Sequence, residues 1–266
     1  MTKGPKILVI DIETAPLELL GWGTFDQNFS LEQIQTDWSI LSFSAKWLGK
    51  KQIIYMDTGG HGKAHVRNDR KLMKPLRTLL QQADIVVAQN GKKFDTRKIN
   101  ARLIAHGFHP PKPYRVIDTM LEARKYFAFT SQKLKYTSKL LAEHWQKDEH
   151  KEFPGMELWI ECLKDNPKAW RVMKRYNKTD ILSTEDVYLK IRPWITNHPN
   201  LGVFQPLLEK PICPNCGSTN LKPWDRRANL QQGAYIRLLC SDCGAWSRGK
   251  EMLLKLSKRR SMLAGS

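Results

Sequence analysis

Apolar and polar positions follow two different periods along this chain. Residues 7–13, "ILVIDIE", are apolar and β-branched up to two acids, so 6–12 predict a strand. "WSILSFSAKW" (38–47) and "KQIIYM" (51–56) predict two more, joined by the short turn "LGK", so the chain opens as a three-stranded antiparallel meander. Between 67 and 82 the period changes: Leu72, Leu76, Leu79 and Leu80 recur at helical spacing. "ADIVVAQNG" then predicts a short buried strand ending in Asn-Gly. "FDTRKINARLIAHG" predicts a helix with Ile99, Leu103 and Ile104 on one face and Gly107 at its end. "YRVIDT" is a fifth strand, and the pattern is helical over 119–127, 133–145, 156–164 and 167–191, where Pro193 follows. The order β-β-β-α-β-α-β-α and then further helices predicts an α/β three-layer fold around a mixed five-stranded sheet. "TNHPNLGVFQPLLEKPICP" has many prolines and no amphipathic period, and predicts a linker. The domain expectation is therefore 1–203 for the main domain and 204–266 for a small second one.

Composition adds little to the fold but something to the partners. The chain has 266 residues, 41% hydrophobic and 26% charged, an ordinary soluble balance. No apolar run approaches the roughly 18 to 20 residues that span a bilayer. The apolar stretch after the basic start "MTKGPK" ends in acids after four residues, unlike a signal peptide. A cytoplasmic protein without membrane contact is expected. Net charge is +18, with 11 Lys/Arg against 4 Asp/Glu in 201–266 and 33 against 22 in 1–200. Such an excess fits a polyanionic partner, nucleic acid above all, and equally a generally basic solvated surface.

The acids are where the chemistry starts. Asp11 and Glu13 sit at positions i and i+2 of a strand, on one face and roughly 7 Å apart along the backbone. Two like charges at the rim of a core call for a cation between them. Asp95 lies in "QNGKKFDTRK" at a strand-to-helix junction, where an N-cap is the better reading of it taken alone. Tyr176 and Asp180 in "RYNKTDILSTEDVY" share a helix face at i, i+4, although Asp is a poor interior helix residue. Each has an ordinary structural reading: strand end, N-cap, surface acid pairing with Arg175 or Lys174, core tyrosine. Their order along the chain gives them meaning as a set.

That order resembles the DEDD superfamily of 3′–5′ exonucleases on the ribonuclease H-like fold. Its three motifs match "DIE" (Asp11, Glu13), "NGKKFD" (Asp95) and "YNKTD" (Tyr176, Asp180). The tyrosine marks the DEDDy branch, since the position where the DEDDh branch carries His is Arg175. "NGxxFD" looks most like the proofreading domain of family B DNA polymerases and its stand-alone relatives, including those carried by phages. "VIDTM…SQKLKYTSKLLAEHW" also looks like the region between the second and third motifs. The resemblance covers roughly residues 5–195. It implies two Mg²⁺ or Mn²⁺ ions held by Asp11, Glu13, Asp95 and Asp180. Asp11 would bridge both, Glu13 and Asp180 would complete the one that activates water, and Asp95 would act mostly through coordinated water. Tyr176 would orient the attacking water. It implies hydrolysis of single-stranded DNA from 3′ ends to 5′-mononucleotides, with RNA not excluded. An RNase or structure-specific endonuclease on the same fold, and a nucleic-acid-binding adaptor without turnover, remain the competing readings. No polymerase domain follows, so proofreading would require a replication or repair protein as partner.

Around these motifs several residues have two readings. Lys92 and Lys93 could meet substrate phosphates or be solvated loop lysines. Phe94 reads better as a core anchor than as a stacking ring, and Asp118 as a helix N-cap. In the insertion 21–38, Trp22 and Phe25 could stack on a nucleotide, but packing is the preferred expectation. Cys162, in "ELWIECL", reads as a buried core thiol.

The remaining cysteines have metal-ligand spacing. Cys213/Cys216 and Cys240/Cys243 form C-x₂-C-x₂₃-C-x₂-C, each pair followed by glycine (Gly217, Gly244). This predicts one structural Zn²⁺ in a four-cysteine zinc ribbon, with "GAYIRLLC" and "GAWSRGK" as hairpin strands. Nothing indicates an oxidising compartment, which argues against disulfides. Arg226, Arg227, Arg237 and Arg248, with Trp224, Tyr235 and Trp246, could form a nucleic-acid face; a purely structural or protein-docking ribbon is as good a reading. "KEMLLKLSKRRSMLAGS" predicts a short basic helix and tail.

Overall fold

The computed structural model describes residues 4–23, 25–145, 150–205, 210–230, 233–255 and 257, with the side chains of 225–230 outside the description. The side chains of Arg226 and Arg227, and residues 256 and 258–266 of the expected basic helix and tail, therefore lie outside the described residues; the start of that segment, 250–252, is strand and not helix. The chain forms two compact units, one of Lys6–Lys190 and one made chiefly of the chain from Ile191 onward.

In the first unit β1 (Ile7–Thr14) is the middle strand of five. Beyond it come the short strands β2 (Glu18–Leu19) and β3 (Ile34–Thr36), then β4 (Ile40–Trp47) and β5 (Ile53–Asp57). β1 pairs antiparallel with β4, and β4 with β5, as the alternation predicts. On its other edge β1 pairs parallel with β6 (Ile85–Ala88), and β6 with β7 (Arg115–Asp118). The sheet order is β5-β4-β1-β6-β7, a mixed sheet with helices on both faces. Helix α1 (Arg70–Gln82) links β5 to β6, and α2 (Asp95–Ala105) links β6 to β7. After β7 come α3 (Thr119–Tyr126), α4 (Leu134–Leu141), α5 (Glu157–Leu163) and the 25-residue α6 (Pro167–Ile191).

Alternation along β1 decides what each face receives. Leu8, Ile10 and Ile12 join one core with Leu72, Met73, Leu76 and Leu80 of α1 and Ile99 and Leu103 of α2. Asp11 and Glu13 point to the opposite face. There a second core is built from Leu158 and Cys162 of α5 with Ala169, Trp170, Met173 and Tyr176 of α6. Cys162 is fully buried, and burial, with the Asp57 and Glu13 charges, pushes its thiol far up and leaves it unreactive. Asp69 ties elements together at one end of the sheet. It accepts from the Ile40 amide at 2.9 Å and from Arg102 Nε and Nη2 at 2.7 and 2.8 Å, and pairs with His106 Nε2 at 2.6 Å.

Two expectations need correction. Trp22 and Phe25 are not packed: they are 100% and 89% exposed on the arm that carries β2 and β3. That two-stranded arm offers no second layer, and Gly21 and Gly23 on either side of Trp22 have no side chains to pack against it. The proline-rich stretch after α6 is not a free linker. The Leu201 amide donates to the Pro214 carbonyl at 2.7 Å, Asn215 Nδ2 donates to the Arg192 carbonyl at 2.8 Å, and Ile195 and Leu201 are buried. The segment belongs to the second unit, whose three strands β8 (Leu221–Leu230), β9 (Gly233–Cys240) and β10 (Trp246–Met252) form an antiparallel sheet in the order β10-β9-β8. Among the described residues no helix is long and apolar enough to cross a membrane.

Candidate metal centres

The first centre gathers side chains from β1 and α6. Carboxylate oxygens of Asp11, Glu13 and Asp180 all lie within 4.8 Å of one another. Asp180 is buried, while Asp11 and Glu13 are partly open. Helical spacing puts Tyr176, Asn177 and Asp180 on the buried face of α6, and Asn177, which sequence reasoning passed over, is fully buried. Its Nδ2 donates to Asp11 Oδ2 at 2.5 Å, and its Oδ1 accepts from Ser42 Oγ at 3.5 Å. Ser42 is the cross-strand partner of Glu13 in the β1–β4 register. The signal for Asn177 was present in "YNKTD", as a polar residue on a face that must pack, but a bare sequence does not say which carboxylate it reaches.

Asp95 is not a member of this 4.8 Å group. It is the first residue of α2, with Phe94 at the N-cap, so it is not the capping residue. Its Oδ1 accepts from the amide of Ile12, the residue between Asp11 and Glu13, at 3.0 Å. Burial pushes the Asp95 carboxyl up to about 7; the Asp118 charge adds to this and hydrogen bonds from the Ile12 amide and its own amide oppose it. The loop before Asp95 is shaped by close contacts. Asn90 has φ +60°, and a Cβ on Gly91 would sit 2.4 Å from that of Ala88, so only glycine fits there. Asp118 secures the loop as well as capping α3: it accepts from the Asn90 and Lys92 amides at 3.0 Å and from Met120 and Leu121 at 3.1 and 3.2 Å. Phe94 packs partly buried against the core, and Lys92 and Lys93 are exposed.

Tyr176 is 7% exposed, its ring edge-on to His150 (centroids 4.9 Å apart) and Trp159 (6.0 Å). Neither neighbour was singled out from the sequence. They come from a turn and from α5, distant in the chain, and the His150 ring is held by a 2.7 Å contact with the Phe153 carbonyl.

Three clustered carboxylates in a chain of net charge +18 repel one another unless a cation offsets them. All three offer hard oxygen donors, the set that Mg²⁺ and Mn²⁺ take. The donor chemistry therefore fits a divalent cation.

The second centre is the cysteine cluster. The sulfurs of Cys213, Cys216, Cys240 and Cys243 lie within 4.8 Å of one another, with Sγ–Sγ distances of 3.6 Å for Cys213–Cys243 and for Cys216–Cys240. A tetrahedron with Zn–S bonds of about 2.3 Å has edges of about 3.8 Å. Both knuckles close alike: the Gly217 amide donates to the Cys213 carbonyl and the Gly244 amide to the Cys240 carbonyl, each at 2.9 Å, with φ of +79° and +75°. Burial pushes Cys216 up to about 11; the Cys240 and Cys213 thiols add to this while the Ser218 amide and Cys243 oppose it, and a bound cation would reverse the shift. The four thiols fit zinc.

Comparison with known proteins agrees with this architecture. The family model of the RNase H superfamily matches residues 39–192, and the protein belongs to that superfamily. A solved structure of the family B DNA polymerase from the hyperthermophilic archaeon Pyrobaculum calidifontis is similar over 72% of this chain, with a TM-score of 0.52 and 15% identity. The similar region is 25% of the polymerase chain, and at this identity the likeness speaks for the fold. No curated protein matches the chain. Superfamily membership supports a nuclease acting on nucleic acid; nucleases of this fold typically use divalent metals, which the carboxylate cluster is suited to hold.

Proposed function

We propose that the protein is a metal-dependent 3′–5′ exonuclease of the DEDDy type, which shortens single-stranded DNA and releases 5′-mononucleotides. The observation that carries this reading is the meeting of Asp11 and Glu13 with Asp180, 167 positions from Glu13 in the chain, while Asp95 is bonded to the amide between the first two. Two divalent cations bound there would stabilise the attacking and the leaving oxygen of the phosphodiester. The chain's own part is to place the ligands. β1 presents Asp11 and Glu13 side by side, Asn177 fixes the Asp11 carboxylate, α6 delivers Asp180, and Asp95 reaches the centre through water. Tyr176 holds the attacking water from one side of α6, its ring fixed by His150 and Trp159. The nuclease domain is the unit Lys6–Lys190, which ends before the boundary expected at 203. The zinc ribbon lies within 204–266, with Cys213, Cys216, Cys240 and Cys243 on one structural Zn²⁺.

The test uses 5′-labelled single strands with Mg²⁺ or Mn²⁺. A ladder shortening from the 3′ end is expected, absent with EDTA and in Asp180→Ala. No cleavage of DNA or RNA in either metal overturns the proposal. Cutting of closed circles would reassign the site to an endonuclease, and cleavage confined to RNA would reassign it to an RNase.

A further inference from the structure

The sheet of the C-terminal unit has one face that its metal site does not explain. Register places Lys222, Leu239 and Trp246 in one row across β8, β9 and β10, and Trp224, Arg237 and Arg248 in the next. Partners in an antiparallel ladder share a face, and so do residues i and i+2, so both rows lie on one side together with Tyr235. Trp224 and Trp246 reach across the central strand and meet edge to face, centroids 5.2 Å apart. Yet they remain 47% and 50% exposed. The Arg248 guanidinium lies 4.4 Å from the Tyr235 ring centroid.

Two features of this face are costly in a sheet that only supports itself. Arg237 and Arg248 stand directly opposite each other, and like charges so placed are destabilising. Two large indoles stay half in water. The described side chains that the register places on this face include three cations and no carboxylate. An anion between the arginines relieves the first cost, and flat apolar rings laid on the indoles relieve the second. Single-stranded nucleic acid supplies both, a phosphate and an unstacked base in each nucleotide. Duplex DNA does not, since its bases are already stacked.

We infer that this face is a binding platform for single-stranded nucleic acid, with bases stacked on Trp224 and Trp246 and phosphates held by Arg237, Arg248 and Lys222. It is a site separate from the carboxylate centre, and its chemistry rests on the ribbon alone.

The test is fluorescence anisotropy of labelled 20-mers of thymidylate and of uridylate with the full chain carrying Asp180→Ala. Binding is thus read without turnover, and failure here is distinct from failure of the nuclease reading. Trp246→Ala is expected to weaken binding roughly 5- to 150-fold, the range for one stacked base. The pair Arg237→Gln/Arg248→Gln is expected to lower the slope of log affinity against log salt by about 1.4, at about 0.7 per phosphate. Both variants should keep one zinc per chain. If Trp246→Ala loses zinc, the arginine pair decides alone. Unchanged affinity and slope in that pair, or duplex of equal length bound as tightly as single strand, overturns the inference. Comparing the two oligomers tells DNA from RNA as the source of the strand.

Discussion

Asn177 is a neutral side chain, fully buried, whose amide is spent on one charged oxygen. A hydrogen bond to a charged group contributes about 1.5–3 kcal/mol. Here that energy selects one rotamer of Asp11, the rotamer that faces Glu13 and Asp180. Asn177 is thus a positioning residue, acting through Asp11. Asn177→Ala should cut cleavage at limiting Mg²⁺ by about 10- to 100-fold, that energy read as a rate. It should also raise the Mg²⁺ concentration for half-maximal rate, with much of the rate recovered at high Mn²⁺. A titration of rate against metal beside a melting curve checks this. If the melting temperature falls but the metal dependence does not move, Asn177 only packs, and its assigned role is wrong.

At the scale of elements, Asp69 holds the first unit together where β4 and α1 begin and α2 ends. Burial alone would raise its pKa, but the hydrogen bonds from Arg102, the Ile40 amide and His106, with the Arg102 charge, outweigh burial and hold it below the usual carboxylate range. In the unfolded chain Asp69 titrates near the ordinary value of about 3.9. Its contribution is therefore complete above that pH and is lost as pH falls through the lower folded value. Asp69→Asn should cost about 3–5 kcal/mol at neutral pH, because Arg102 is left partly buried without its partner. It should also flatten the acid limb of the stability curve below about pH 4. Urea unfolding across pH measures both, and an acid limb identical to the parent's would show that Asp69 does not govern it. Elements with a stripe of their own were legible in the sequence: β1, β4 and β6 by apolar runs, α1 by Leu72, Leu76, Leu79 and Leu80. What had no stripe was missed. "LKPWDRRANL" lacks apolar alternation and contains Pro223, and it becomes β8 only because β9 pairs with it. The acids Asp11, Glu13 and Asp180 could be picked out because their residue types and order carry the chemistry. Asn177, Ser42 and the Asp118 clamp could not, because their significance lies in contacts across 26 to 166 positions.

For the whole molecule, the two units are stabilised by different means. Among its described residues Lys6–Lys190 carries an apolar core on each face of its sheet. In the C-terminal unit the cluster around the candidate zinc consists of Cys213, Cys240 and Ala245, with Cys216, Leu221 and Cys243 against it. Four of those six residues are the ligands themselves, so the apolar surface to be buried is small and the metal must supply what a core supplies elsewhere. Removing zinc should then unfold the ribbon and leave the first unit intact. After dialysis against a strong chelator and return of Mg²⁺, the near-ultraviolet circular dichroism of the Trp224–Trp246 pair should collapse. The main calorimetric transition should stay within a few degrees of its original position. Cys216→Ser should reproduce that pattern without any chelator, which separates the loss of zinc from the loss of Mg²⁺. Cleavage of a short oligonucleotide should survive both treatments, since the carboxylate ligands belong to the unit that does not depend on zinc. Should the protein contain no zinc when purified from zinc-supplemented cells, or keep its aromatic signal after the metal is removed, the four sulfurs would be a packing cluster and the ribbon's stability would need another source.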